Sequence, residues 1–277
     1  MDLKDILVLV ESTPSTVGRL ELAVALADKH GAHLTGLYVK PDLYIPSLED
    51  YASLPQSYFD GMIARIDEKA LEAKDKFDKA VRKADVGHEW RVARGFASEA
   101  LRHHARYFDL TIVGQSDPGA ANGDSSDVPE NMLLETGRPT LVVPYVGAVK
   151  SFAKRVMIAW DDGAPATRAV HDAIPLIAEA DEVSILAVNP RDTGDHGQIP
   201  CADISLHLAR HGIRAEAQSV HATDVDIADV LLARAFDRGC DLLVMGAFGH
   251  SRWRELVLGG VTQHMLENMT MPVLMSH

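Results

Sequence analysis

Two runs of residues recur in this chain of 277 residues, in the same order and in similar surroundings. Ile6-Leu7-Val8-Leu9-Val10-Glu11 returns as Val156-Met157-Ile158-Ala159-Trp160-Asp161, and Asp109-Leu110-Thr111-Ile112-Val113-Gly114 returns as Asp241-Leu242-Leu243-Val244-Met245-Gly246. Such a repeat restricts the chain to two copies of one unit, each near the common domain size. Both copies also end alike. After the glycine come a loop, a helix-like segment and an apolar run opened by proline, at Pro139 in the first copy and Pro272 in the second. The boundary is expected near residues 147–151, giving domains at 1–147 and 152–277. The first copy carries extra residues between Pro41 and Lys83.

Within each copy, short apolar runs alternate with amphipathic stretches. Residues 6–10, 34–39, 89–93 and 110–113 read as strands, and 17–30, 60–84 and 98–106 as helices. In the helix at 17–30, Leu20, Val24 and Ala27 mark the buried side and the charges the other. The second copy repeats the order, with strands near 156–160, 183–188, 214–220, 242–245 and 273–275. Its helices are expected near 166–179, 202–211, 227–238 and 261–267. Strands apolar on both faces that alternate with helices imply a parallel sheet covered on both sides. The expected fold is α/β: two tandem doubly wound, Rossmann-like sandwiches, with chemistry at the carboxyl ends of the first and fourth strands of each copy.

A net charge of -13 argues against a nucleic-acid partner and an anionic membrane surface, both of which call for a basic face. No apolar run approaches the roughly 18 residues of a membrane span, and residues 1–10 lack a signal-peptide pattern. The two cysteines, Cys201 and Cys240, suit a reducing compartment, so a cytoplasmic location is expected. His207 and His211 have the spacing of two ligands on one helical face. No acid lies between them, and a solvated surface pair is the simpler reading, so no metal site is assigned.

The most informative segment follows the fourth strand of the second copy. Gly246 and Gly249 allow a tight turn and close approach to a ligand, and Gly259 and Gly260 lie just before a helix starting near Val261. Amides exposed at a helix N-terminus favour an anion such as phosphate. The spacing Gly-x2-Gly-x9-Gly resembles the nucleotide loop of the universal stress protein family, and the opening and closing strands of residues 154–277 resemble that family too. The resemblance is fainter over residues 1–146.

The resemblance implies a five-stranded parallel sheet in each copy and, in the second, ATP or a related adenine nucleotide, with or without magnesium. Gly246, Gly249 and Gly259 would cradle ribose and phosphates. Asp161 would lie beside base and ribose, and the backbone of Val188 would read adenine. Gly260, followed by Val261, stands where the family commonly has Ser or Thr, so a hydroxyl is lost there while the amide remains. The resemblance also implies a pseudo-dimer of the two copies within one chain, with pairing into a homodimer left open.

The first copy departs further. Glu11 replaces the aspartate, the glycine spacing is gone, and Asp117, Asp124 and Asp127 would repel phosphates. It reads as structural or regulatory. Asp162 is a candidate cap for the helix that follows it. No catalytic residue is legible, so hydrolysis is expected to be slow at most. The expected function is a stress-response module sensing an adenine nucleotide; the alternative is an interaction scaffold with both sites degenerate.

Overall fold

In a computed structural model of the chain, the residues described are 2–42, 54–117, 128–190, 201–248 and 260–277. The first half runs β1 (Asp5–Leu9), α1 (Thr16–His30), β2 (His33–Lys40), α2 (Gln56–Val81), β3 (His88–Arg94), α3 (Ala97–Ala105), β4 (Leu110–Gly114), α4 (Val128–Glu135) and β5 (Thr140–Val143). The second half runs β6 (Arg155–Ala159), α5 (Ala164–Ile177), β7 (Glu182–Val188), α6 (Ala202–Arg210), β8 (Ala215–Val220), α7 (Ile227–Asp237), β9 (Leu242–Gly246), α8 (Gly260–Asn268) and β10 (Val273–Ser276).

The strands are short and carry apolar residues on both sides because both sides are covered. Ile6, Val8, Val156 and Ile158 point into one layer with α1, α2, α5 and α6. Leu7, Leu9, Met157 and Leu243 point into the other, with α3, α4, α7 and α8. Period-two alternation along each strand therefore feeds two cores rather than one core and solvent. Among the described residues, no helix is long and apolar enough to cross a membrane.

Each half is a doubly wound, five-stranded parallel sheet, as expected. The sequence reading expects the halves to pack as a pseudo-dimer but does not foresee a shared sheet. All ten strands form one sheet in the order β3-β2-β1-β4-β5-β10-β9-β6-β7-β8. Every neighbouring pair is parallel except β5 and β10, which run antiparallel with Leu141 opposite Leu274. Both apolar layers continue across this seam.

Candidate functional site

The antiparallel seam points the carboxyl ends of the two sets of strands to opposite rims of the sheet. In doubly wound sheets, ligands bind beyond the carboxyl ends where strand order reverses. That place lies between β1 and β4 in the first half and between β6 and β9 in the second. The registers are equivalent: Ile6 faces Leu110 as Val156 faces Leu242, and Val8 faces Ile112 as Ile158 faces Val244. Glu11 and Gly114 thus correspond to Asp161 and Gly246. By the same alignment Thr16 and Arg19 correspond to Ala166 and Ala169, and Gln115 to Ala247.

In the second crevice, exposed Asp161 follows β6, and its Oδ1 accepts a hydrogen bond from the Gly163 amide at 2.9 Å. That bond makes the turn into α5. Asp162, the expected cap, instead takes a left-handed conformation with φ 61°, and Gly163 occupies the cap position. Half-buried Val188 ends β7. Beside it, Asn189 and Ala222 exchange hydrogen bonds of 3.0 and 2.8 Å, tying the end of β7 to the loop after β8.

Gly246 ends β9. A Cβ there would lie 2.5 Å from the Ala166 nitrogen and 2.7 Å from the Pro165 carbonyl carbon, so close approach of α5 requires glycine. The Ala247 amide donates to Ser276 at 2.9 Å, and the Phe248 amide donates to the buried Thr262 hydroxyl at 3.2 Å. Thr262 sits in the first turn of α8, just after exposed Gly260 and half-buried Val261. The structure therefore brings Asp161, Val188 and Gly246 to the ends of three adjacent strands, and ties the start of α8 to the residue two beyond Gly246. Gly249 and Gly259 lie outside the described residues.

The first crevice is built differently. Arg19, only 1% exposed, reaches from α1 to the end of β4 and donates through Nη2 to Glu11 at 2.7 Å and to the Thr16 hydroxyl at 2.9 Å. Its other terminal nitrogen lies 2.0 Å from where a Cβ on Gly114 would stand. Lys76 of α2 donates to the carbonyls of Ser12 and Thr13, binding the β1–α1 turn from outside. Cations of the chain itself thus engage the acid and the turn carbonyls of this crevice. Asp117 is described; Asp124 and Asp127 lie outside the described residues.

Arg19 and Lys76 were missed from sequence. Arg19 did carry a signal: with Thr16, Leu20, Ala23 and Ala27 it forms a buried helical stripe, and a cation in such a stripe demands a buried partner. The reading that placed the charges of this helix on its outer side is corrected for Arg19.

A sequence profile described as the universal stress protein family matches residues 153–277. That half of the chain belongs to the universal stress protein family. A Synechocystis protein named as a universal stress protein is 28% identical over 191 residues, which is 65% of this chain and 62% of that protein. This chain thus spans less than two thirds of that relative's length. Among solved structures, a universal stress protein from Archaeoglobus fulgidus superposes with a TM-score of 0.73, at 17% identity, over 98% of this chain and 97% of that one. A functionally unknown protein from Pseudomonas aeruginosa PAO1 gives 0.61 at 12% identity, over 99% and 92%. At these identities the structural likeness shows the fold, and it shows it across both halves.

Burial shifts several other titratable groups of the universal stress protein half. Burial pushes the thiols of Cys201 and Cys240 up to about 11, which leaves them protonated and poor nucleophiles at neutral pH. His207 packs between His171 and His211, with ring centroids 4.8 Å from each, and burial lowers its pKa. Among the described residues, no group of three or more His, Cys, Asp or Glu is arranged to hold a metal.

Asp172 of α5 accepts a 2.7 Å hydrogen bond from the Ser276 hydroxyl, and burial raises its pKa above the ordinary value. A raised carboxyl pKa means that the folded state holds the proton more tightly. The stability this provides is complete below the unfolded pKa of about 3.9 and is lost as pH rises through the folded value. Asp172→Asn should therefore raise the urea midpoint at pH 7 and leave it nearly unchanged at pH 3, as read from paired unfolding curves.

Proposed function

We propose that the second half is a ligand-sensing module that binds ATP or a related adenine nucleotide, with or without magnesium, in the crevice bounded by β6, β7 and β9. The observation that supports this is the convergence of Asp161, Val188 and Gly246 on the rim where Thr262 anchors the first turn of α8. In this reading, Val188 offers its backbone to adenine and Asp161 faces the ribose. The backbones of Gly246, Gly249 and Gly259, with the amides of Gly260 and Val261, hold the phosphates at the positive end of α8. The reading assigns no catalytic residue and expects at most slow hydrolysis.

The first half, 1–147, then acts as a structural or regulatory partner to 152–277. The antiparallel β5–β10 pair supports treating the chain as a pseudo-dimer, and a homodimer of chains would use other surfaces. A cytoplasmic stress-response role belongs to the same reading. The interaction scaffold is the second reading, favoured by the fact that packing against α5 already accounts for Gly246.

Calorimetric titration with ATP and magnesium separates the two. Saturable binding of about one nucleotide per chain, lost in a folded Gly249→Glu/Gly259→Glu variant, is the result expected for the nucleotide module. Absence of binding by nucleotide-free wild type would leave the scaffold.

A further inference from the structure

Gln115 directly follows Gly114, where the chain leaves the first crevice, and its side chain turns away from that crevice into the other half. It is 7% exposed. Its Nε2 donates to the carbonyls of Leu266 at 2.9 Å and Glu267 at 3.1 Å, and its Oε1 accepts from the Tyr145 amide at 3.3 Å. The Gln115 amide donates to Val143 at 2.8 Å. Both ends of the carboxamide are engaged, so one orientation is fixed.

Leu266 and Glu267 belong to the last turn of α8, whose final carbonyls have no partner within the helix. Donors placed there satisfy those carbonyls and face the negative end of the helix dipole. Helix α8 has nine residues, about 13 Å, and runs back across the sheet from the second crevice's rim to the rim of the first. Thr262 fixes its first turn, and His264 bonds Asp229 of α7 at 2.8 Å near its middle. A helix this short owes its order to tertiary contacts, so loosening the last turn loosens the first.

The arrangement is one-sided. Ala247, the counterpart of Gln115, has no group that can reach back, and the end of α4 is met by its own Thr136, whose hydroxyl donates to Met132 at 2.8 Å.

We propose that Gln115 is a positioning residue: the first half, with its own crevice engaged by Arg19, clamps the far end of α8 and so holds the amides of Gly260 and Val261 in place for the anion of the second crevice. The inference rests on the nucleotide reading above. Affinity in one half then depends on a side chain of the other, and the dependence is reciprocal.

The test compares wild type with Gln115→Met, which keeps the length and loses the donors, and with Gln115→Ala. Titration with ATP and magnesium should give about fivefold weaker binding in both variants. Amide exchange should quicken in α8 and not in α4. In wild type, saturating ATP should slow exchange at the amides of Gln115 and Tyr145, a readout that needs no variant. Unchanged affinity in Gln115→Met, or no response of those two amides to ATP, would overturn the clamp while leaving the nucleotide reading intact. Failure of wild type to bind ATP would instead remove the nucleotide reading, and the positioning role with it.

Discussion

Arg19→Met is expected to destabilise the protein by about 3 kcal/mol, because it removes the buried guanidinium that pairs with Glu11 and bonds Thr16. Removing one partner of a buried ion pair costs roughly 3–5 kcal/mol. The lower end applies here, since the Glu11 side chain is 22% exposed and retains some access to water. The same argument makes the double variant informative. Arg19 Nε is buried and has no hydrogen-bond partner among the described residues, so the pair is imperfectly satisfied. Glu11→Leu with Arg19→Met should recover most of the loss, since apolar replacement of a buried pair is often neutral or favourable. Urea unfolding of the two single variants and the double variant completes the cycle. A neutral Arg19→Met would mean that the cation is not held as its geometry requires.

Gly246→Ala should cost about 2–3 kcal/mol, the upper range for forced overpacking, and should shift α5. The added methyl meets backbone atoms of Pro165 and Ala166, neither of which can rotate aside. Gly260→Ala provides the contrast. Among the described residues a Cβ there meets nothing within 4 Å, and alanine in the first turn of α8 suits a helix better than glycine does. That variant should unfold at the same urea concentration as wild type or slightly above it. Equal losses at the two positions would show that α5 does not rest on β9.

The fold was legible because its signals are local. Strands such as 6–10 and 242–245 announce themselves by apolar runs, and the repeat supplies their order. The candidate rim was legible for the same reason: Asp161 and Gly246 end strands that the eye can find. Arg19 stood in plain sight on the apolar stripe of its helix but was read with its neighbouring charges. Gln115 gave no signal at all, because its partners on α8 are more than 150 residues away and its role depends on how the halves meet. The meeting itself was hidden. Thr140-Leu141-Val142-Val143 reads as a closing strand whether its outer edge is free or paired.

The seam between β5 and β10 joins only three residue pairs, Val142 with Val273, Leu141 with Leu274 and Thr140 with Met275. Its hydrogen bonds are few, while the side chains above and below it are fully buried, Leu141, Val142, Val273 and Leu274 each at 0% exposure. Separating the halves would uncover these side chains to water at a cost far beyond the broken ladder. The two copies are accordingly expected to unfold as one cooperative unit, not as beads on a string. Any free energy that a ligand deposits in one half protects the other against denaturation as well.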